Sequence, residues 1–258
     1  MISISKKIFS LLILSLLLVS CVSRKKIVYF QDVGKDKSKE IKSDFSTKLK
    51  KDDVLMIVVS SPDVEASLPF NLPVFSISGF TNSAASAYQY QLYLIDNEGN
   101  IDFPTLGKLN VAGKTKIELI SQLTDRLKKY INDPIVNIRI MNYKIAVTGE
   151  VNKPGNFNIV SERVSLLDAI SLAGDLTIYG RRDNVIVIRE VNGVKTINRI
   201  DLTKSDFISS DFYYLSQNDV VYVEPNKTRI NSSMIGPNTA VIISTVSVLI
   251  TVFTLLKK

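Results

Sequence analysis

The sequence predicts an α+β protein built from two small modules in series, followed by one apolar helix. Short apolar strand candidates alternate with two capped helices through the middle of the chain, and the stretch before the last two lysines carries no charge. The 258 residues are 45% hydrophobic and 22% charged, which is typical of a globular chain. We divide the chain into six parts: a signal peptide at 1–20, a lipidated tether at 21–45, a first module at 46–142, a β-grasp-like module at 143–192, a β-rich extension at 193–232 and a transmembrane helix at 239–256.

Composition excludes several kinds of chemistry. The chain has no His, one Cys and no Trp. Without His there is no Ser-His-Asp or Cys-His arrangement, and most catalytic zinc sites are excluded as well. One Cys excludes disulfide frameworks and thiolate metal cages. We therefore expect no catalytic residue, no metal site and no cofactor.

The first twenty residues are typical of a secretory signal. Lys6 and Lys7 form a charged start, and residues 8–19 are apolar except for two serines. This run is too short for a membrane span of about 20 residues. It ends in Leu-Val-Ser-Cys, the four-residue pattern of a bacterial lipobox, with Cys21 at the cleavage position. Because Cys21 is the only cysteine, we predict cleavage before it and its acylation, since several acyl chains anchor a protein far better than one.

The net charge is mildly positive and indicates little about partners. The whole chain has a formal charge of +7, and loss of Lys6 and Lys7 with the signal, which contains no acid, leaves +5. Such an excess suits anionic headgroups or an acidic polymer, and an ordinary solvated surface explains it equally well. We expect association with a membrane and no nucleic-acid partner.

The first module, residues 46–142, begins with a strand and a long connection. Residues 54–59 are a fully apolar strand candidate. Residues 61–90 are low in charge and rich in Ser, Ala, Phe and Tyr, which predicts a long loop or insertion and a candidate intersubunit contact. Residues 91–95 and 101–103 flank an Asp-Asn-Glu-Gly-Asn turn and predict a β-hairpin.

An amphipathic helix follows the predicted hairpin. Thr115 and Glu118 have the spacing of a capping box, and Pro134 ends the helical region. Strand candidates follow at 135–140 and 143–148. The side chains expected on the buried face of the helix are those of Ile117, Ile120, Leu123, Leu127, Tyr130 and Ile131.

The second module opens with a turn that contains four candidate motif residues. Pro154 fixes φ and Gly155 is expected to permit φ > 0, so that the chain can reverse direction between two strands. Ser165 then caps a short helix at 166–173. The motif residues are Gly149, Glu150, Pro154 and Gly155. The further strand candidates are 185–188, 196–200 and 220–223, of which the first two are joined around an Asn-Gly hairpin signal.

The stretch 239–256 predicts a helix that is apolar on most of its surface. Its residues at 1.5 Å rise span about 27 Å, close to the thickness of a bilayer core. Small and hydroxylated residues recur at spacings of 4, 3, 4 and 3. Such a stripe lets helices approach closely or faces water in an oligomeric pore, and the equally open alternative is a single anchor whose hydroxyls bond their own backbone. The stripe consists of Ala240, Ser244, Ser247, Thr251 and Thr254.

A series of short motifs runs in order along the chain. The motifs are Asp53-Val54-Leu55, Gly99 to Leu106-Gly107, Val111-Ala112-Gly113-Lys114-Thr115, Asp133-Pro134-Ile135-Val136, Gly149-Glu150-Val151 with Pro154-Gly155, Leu166-Leu167-Asp168-Ala169-Ile170 with Ala173-Gly174, and Asn218-Asp219-Val220-Val221-Tyr222-Val223. In this order they resemble the bacterial outer-membrane polysaccharide export lipoproteins, the capsule and exopolysaccharide exporters. The resemblance implies a polysaccharide export domain, a soluble-ligand-binding β-grasp domain, ring-shaped homo-oligomers around a periplasmic cavity, and C-terminal helices that cross the outer membrane.

Three functions are compared on this basis. We expect a transport component, a lipid-anchored ring that conducts polysaccharide across the outer membrane without a covalent step. The alternative is an adaptor anchored in the inner membrane, with its C-terminal lysines in the cytoplasm, that binds a polymerase or co-polymerase instead of forming the exit. The expected partner in the inner membrane is of the co-polymerase or tyrosine-kinase type. A glycan hydrolase needs two carboxylates about 5–10 Å apart, and the acids Asp96, Glu98 and Asp102 cluster at a turn where solvated acids are the better explanation. Aromatic residues in 70–93 are candidates for sugar contacts or, preferably, for packing.

Overall fold

The structure is a mixed α+β fold, as the sequence predicts. It is a computed structural model, and the residues that it describes fall into five segments: 27–34, 47–74, 89–191, 193–234 and 238–256. The expected signal peptide, Cys21 and most of the tether lie outside these segments, as does the centre of the long connection in the first module.

The first module combines short sheets with one long helix. Its elements in chain order are β1 (Val54–Ser60), α1 (Val64–Ser67), β2 (Pro73–Val74), β3 (Gln89–Tyr90), β4 (Leu92–Leu94), β5 (Asn100–Phe103), β6 (Gly107–Asn110), α2 (Lys116–Leu127) and β7 (Ile135–Ile140). The main sheet is antiparallel in the order β4-β1-β7, while β2 pairs with β3 and β5 with β6. The connection 61–90, predicted as a loop, therefore contains α1, a short 3₁₀ turn and two short strands.

The core of this module lies on one side of β1. Leu55, Ile57 and Val59 are buried there, whereas the side chains between them are only partly covered. This is the two-residue period of a strand with one covered face. The strand predicted as apolar throughout is thus fully buried on one side only.

Helix α2 begins where the sequence predicts, because Thr115 and Glu118 form both hydrogen bonds of a capping box. Its buried face agrees with the prediction in part, because Leu123 and Leu127 are buried as expected and Ile120 is partly buried against the core. Ile117 is 72% exposed and Tyr130 56% exposed, so their assignment to the core is wrong, whereas Ile131 is buried as expected. The buried helical residues recur every fourth position: Leu119, Leu123 and Leu127.

The hairpin predicted around the acidic turn is wrong. The turn is present, because Asp96 Oδ1 accepts hydrogen bonds from the amides of Glu98 (2.9 Å) and Asn100 (2.8 Å). The strand before the turn, β4, pairs with β1, and the strand after it, β5, pairs with β6. The turn therefore connects two different sheets.

The second module is built on one five-stranded sheet. Its elements are β8 (Lys144–Gly149), β9 (Gly155–Asn158), α3 (Leu166–Leu172), β10 (Gly180–Val191), β11 (Val194–Ile200) and β12 (Val220–Pro225). The strand order is β11-β10-β12-β8-β9, and the pairing of β12 with β8 is the parallel one among antiparallel neighbours. The strands that the sequence divides between a β-grasp-like module and an extension therefore share one sheet.

Asn142 joins the two modules at the short connection between β7 and β8. Its Oδ1 accepts a hydrogen bond from Val54 N (2.9 Å), and its Nδ2 donates to Asp52 O (2.8 Å), both in the first module. Its own carbonyl accepts from Gln217 Nε2 (2.7 Å) in the second module. Since one residue bonds to both sides, the connection is fixed at this point.

Two helices, α4 (Lys227–Met234) and α5 (Asn238–Leu256), follow β12. The described apolar side chains of α5 are exposed, with Phe253 and Leu255 at 69% each. Among the described residues, no helix has the combination of length and hydropathy that a membrane crossing requires. The expected transmembrane helix is therefore not supported.

Candidate functional site

The turn motif lies where β8 ends against β12. Gly149 has φ 91°, and a Cβ there would collide with the carbonyl oxygen of Val223 and lie 3.0 Å from the ring of Tyr222. Gly155 begins β9 without a positive φ. The prediction of a left-handed conformation at Gly155 is therefore wrong, and Gly149 has that conformation instead. The close approach of two backbones explains why the motif needs its first glycine.

Glu150 connects this turn to the start of the C-terminal helices. Its Oε1 accepts a hydrogen bond from Thr177 Oγ1 (2.8 Å), and its backbone carbonyl accepts from Thr177 N (3.1 Å). Its Oε2 is 3.7 Å from Nε of Arg229 on α4. Pro154 is exposed and precedes β9. The motif therefore has a structural role, since the Glu150 carboxylate holds Thr177 by a hydrogen bond and Arg229 by an ion pair.

A buried acid lies at the start of the first module. Asp53 is 1% exposed, and burial raises its pKa to about 6, against the opposing hydrogen bond from Lys50 N (2.8 Å). Its Oδ1 has no hydrogen-bond partner among the described residues. Burial also lowers the pKa of the Lys50 side chain, which is influenced in addition by Asp219 and Arg189 of the second module. Charged groups of the second module thus influence Lys50 of the first module electrostatically.

The acids considered for hydrolysis form a solvated turn. Lys108 Nζ lies 3.5 Å from Asp96 and 3.0 Å from Glu98, and all three side chains are at least 40% exposed. The backbone amide of Asn100, more than any other group, lowers the pKa of Asp96. Asp102 is exposed on β5. In the part of the chain that the structure describes, no group of three potential metal ligands comes together.

The aromatic residues of 70–93 with described side chains belong to the core. Phe70 and Tyr93 are 3% and 4% exposed. Their rings pack on Tyr130 and Phe103, with centroids 5.9 and 5.4 Å apart. These contacts agree with packing between aromatic side chains.

An open cleft of about 430 Å³ lies between the end of β9 and helix α3. Asp168 is the only acid that lines it, and its Oδ2 accepts hydrogen bonds from Ser165 N (2.9 Å) and Ser165 Oγ (2.7 Å). The described residues of the lining therefore include no pair of carboxylates of the kind that glycoside hydrolysis uses. The lining residues are Asn158, Ile159, Val160, Ser161, Val164, Asp168, Ser171 and Leu172.

The predicted stripe lies on helix α5, and its described hydroxyls bond to the helix itself. Ser244 Oγ donates to Val241 O (2.9 Å), Thr251 Oγ1 to Ser247 O (2.8 Å) and Thr254 Oγ1 to Thr251 O (2.8 Å). The side chain of Ala240 and the whole of Cys21 lie outside the described residues.

Together these features define a class of protein: two α+β domains in series that end in an exposed apolar helix. Residues 42–141 match the family described as polysaccharide biosynthesis/export protein, and residues 143–223 match the SLBB domain. The second match covers β8 to β12 in one domain.

Named relatives agree with these matches. The EPS I polysaccharide export outer membrane protein EpsA of Ralstonia solanacearum is 28% identical over 196 residues, which are 72% of this chain and 51% of EpsA. The capsule polysaccharide export outer membrane protein CtrA of Neisseria meningitidis serogroup B is 32% identical over 126 residues, 46% of this chain and 31% of CtrA. The chain therefore carries a polysaccharide biosynthesis/export domain followed by an SLBB domain, and it spans about half of EpsA and a third of CtrA.

Proposed function

We propose that this protein is a lipid-anchored component of an export channel that conducts capsule or exopolysaccharide across the bacterial outer membrane. The observation that carries the proposal is the tandem of an export domain at 42–141 and an SLBB domain at 143–223, together with two relatives named as outer membrane export proteins. The mechanism is a conduit without a covalent step. A homo-oligomer and an inner-membrane co-polymerase or tyrosine-kinase-type partner belong to the same proposal.

The proposed anchor is the lipid on Cys21. It is the only cysteine of the chain and follows Leu18, Val19 and Ser20 at the end of a signal-like segment. Each buried methylene contributes about 0.8 kcal/mol, so that several acyl chains hold a protein on a membrane far longer than one chain does. We place the two domains on the periplasmic side of the outer membrane.

The proposed assembly surface is the stripe on α5. The hydrogen bonds that Ser244, Thr251 and Thr254 donate to their own helix fit the single-anchor alternative as well. What supports the assembly is the small size of the side chains along the stripe, which lets helices approach closely. The exposed apolar residues beside them, such as Val248 and Leu255, need cover in the assembled protein. We propose that several copies pack through this stripe around the export path.

Removal of the anchor is the test of the proposed function. We expect Cys21→Ser to give a protein without lipid and cells that lose most of their surface polysaccharide. The matched control Ser20→Ala keeps a small residue before the cleavage position and should retain both lipid and export. Mass spectrometry of the mature chain and immunoblotting of surface polysaccharide measure the two effects. Export at the wild-type level by Cys21→Ser, in cells with no other source of this activity, would contradict the proposal.

A substitution that introduces a large side chain into the stripe tests the assembly surface. Ser247→Leu places a large side chain in the stripe and is expected to reduce the mass of the detergent-extracted complex, since helices can no longer approach closely. Thr245→Leu is the control, because Thr245 also bonds its own helix, at Val241 O (2.8 Å), but lies off the stripe. Light scattering of the extracted proteins gives the masses. A wild-type species of monomer mass would refute the assembly.

A further inference from the structure

The chain contains two turns of the same shape, one before β1 in the first domain and one before β12 in the second. We call residues 50–53 the first Asp turn and residues 216–219 the second Asp turn. In the first, Asp53 Oδ2 accepts a hydrogen bond from Lys50 N (2.8 Å), and Asp53 N donates to Lys50 O (3.3 Å). In the second, Asp219 Oδ2 accepts from Ser216 N (2.7 Å), and Asp219 N donates to Ser216 O (3.1 Å). Each aspartate therefore closes its turn through the same two backbone groups.

The residues around the two aspartates agree as well. The residue before each aspartate has a positive φ, 67° at Asp52 and 64° at Asn218. Asp and Asn adopt this left-handed backbone more readily than most other residues do. A buried leucine, Leu49 or Leu215, precedes each turn. The two turns are thus one local structure that the chain uses twice.

The two turns differ in how the buried carboxylate is neutralised. Both aspartates are 1% exposed. Asp219 receives the guanidinium of Arg189, whose Nε lies 3.1 Å from Oδ1 and whose Nη2 lies 2.7 Å from Oδ2. Asp53 Oδ1, in contrast, has no hydrogen-bond partner among the residues that the structure describes. The first Asp turn therefore lacks, within the described part of the chain, the arginine that completes the second.

Burial raises the pKa of Asp53 to about 6, because a desolvated carboxylate is disfavoured. Within the turn, the amide and the ammonium group of Lys50 lower this pKa, and the carboxylate of Asp52 raises it. From the second domain, Tyr143 is the titratable group that interacts with Asp53. Burial raises the pKa of the Tyr143 hydroxyl, and the charge of Asp53 adds to this shift. Asp53 therefore exchanges its proton in the range of about pH 5 to 7.

The first Asp turn lies at the joint between the two domains. The side chain of Asn142 binds both neighbours of Asp53, since its Oδ1 accepts from Val54 N and its Nδ2 donates to Asp52 O. The carbonyl of Asn142 accepts a hydrogen bond from Gln217 Nε2, and Gln217 is a residue of the second Asp turn. The two Asp turns are therefore connected to each other through Asn142.

We propose that the first Asp turn is a proton switch at this joint, in which a proton on Asp53 takes the role that Arg189 has at Asp219. The protonated carboxyl group is neutral and needs no counter-charge in its buried position. The ionised group gains water or a cation at Oδ1 only when the turn opens, and opening moves the backbone on both sides of Asp53, which is bound to Asn142. The joint is therefore held firmly in mild acid and loosens at neutral pH.

The direction of the effect follows from proton linkage. Asp53 has its ordinary pKa of 3.8 when the turn is open and a pKa of about 6 when the turn is closed. The closed turn binds the proton more tightly, so that this stabilisation is complete below about pH 4 and is lost as the pH rises through about 6. With these two values, we expect the equilibrium constant for opening of the turn to be about tenfold larger at pH 7 than at pH 5.

The first measurement is the titration of Asp53 in the purified full chain in detergent, by nuclear magnetic resonance of carboxyl-labelled aspartate. One aspartate resonance should titrate with a midpoint of about pH 6 and be missing from Asp53→Asn, whose neutral amide oxygen still accepts from Lys50 N. Asp52→Asn is the matched control, because Asp52 is exposed and its equivalent in the second Asp turn is already Asn218. This control should keep the resonance and its midpoint.

Hydrogen exchange then measures the opening of the turn and of the joint. After correction for the intrinsic pH dependence of exchange, the amides of Lys50 and Val54 report the opening equilibrium. We expect it to be about tenfold larger at pH 7 than at pH 5 in the wild type and in Asp52→Asn. In Asp53→Asn the opening equilibrium should be the same at the two pH values.

The second Asp turn is an internal control that needs no substitution. The amide of Ser216 bonds Asp219 Oδ2, and Arg189 neutralises this carboxylate at both pH values, so the opening equilibrium at Ser216 should not change. A midpoint of about pH 4 for Asp53 in the wild type would overturn the proton switch. A midpoint of about pH 6 with equal opening at Val54 at both pH values would overturn its coupling to the joint. Neither result concerns the lipid or the polysaccharide, so the export proposal is decided separately.

Discussion

Replacement of Arg189 by methionine is expected to lower the free energy of unfolding of the second domain by about 3–5 kcal/mol, because it leaves a buried carboxylate without its counter-charge. Arg189 is 8% exposed and Asp219 1% exposed, and Arg189 Nη2 lies 2.7 Å from Asp219 Oδ2. The guanidinium also donates to Asp211 O (2.9 Å) and Tyr214 O (2.8 Å), and Ser216 N donates to Asp219 Oδ2 (2.7 Å). The carbonyls of Asp211 and Tyr214 thus have hydrogen bonds from Arg189, and the amide of Ser216 has its hydrogen bond to Asp219.

Urea unfolding of the full chain, followed by circular dichroism, measures the effect. Lys195→Met is the matched control, because Lys195 on β11 pairs at 3.7 Å with Glu190, the neighbour of Arg189 on β10, but with both side chains exposed. Its removal should change the free energy of unfolding by less than about 1 kcal/mol. The double variant Arg189→Met/Asp219→Leu should recover part of the loss, since the unpaired charge is gone. A loss below about 1 kcal/mol in Arg189→Met would show that the pair is not buried as described.

The elements that the sequence predicts well have local causes. The capping box of Thr115 with Glu118 and the cap at Ser165 are both present as predicted, and Asp168, three positions after Ser165, completes a second capping box. The strand at 135–140 has the predicted bounds, because Val136, Ile138 and Ile140 alternate with polar residues after Pro134, and such alternation is a strong strand signal. Short-range chemistry is sufficient for such elements.

Pairing and orientation are not local, and here the sequence is less informative. The turn at Asp96 has the residues of a hairpin, yet β4 pairs with β1, whose partner residues lie about forty positions earlier. The face of α2 is ambiguous in the same way. Ile117 and Leu119 each fit a helical period in the sequence. Only the position of the helix on the sheet decides that Leu119 is buried and Ile117 is exposed.

The candidate sites divide along the same line. The lipobox cysteine and the stripe on α5 are patterns within a few turns of chain, so the sequence displays them. The hydrogen bonds that Asp32 accepts from Ser205 are not visible in this way, because the two residues are 173 positions apart in sequence. In the sequence Arg182 is an ordinary charged residue at the start of β10. Only the structure shows that it is buried and donates to the carbonyl of Thr177, which gives it a structural role.

Replacement of Gly149 by alanine is expected to lower the free energy of unfolding by roughly 3 kcal/mol. An L-residue in the left-handed region costs about 1–2 kcal/mol, and forcing an extra methyl into packed structure costs about 1–3 kcal/mol more. Both costs apply here, since φ is 91° and the new Cβ would collide with the carbonyl of Val223 on β12. Backbone cannot move aside as a flexible side chain does, so the parallel pair of β8 with β12 must separate locally.

The control lies in the same motif. Gly155→Ala makes the same chemical change where φ is not positive and no atom lies within 4 Å of the new Cβ. It should leave stability unchanged or raise it by less than about 1 kcal/mol, because alanine restricts the unfolded chain. Thermal and urea unfolding of the two variants compare them directly. Equal stability of Gly149→Ala and Gly155→Ala would mean that β8 and β12 do not approach each other as closely as this structure has them. The contrast between two glycines six positions apart therefore tests the parallel pairing at the centre of the second domain.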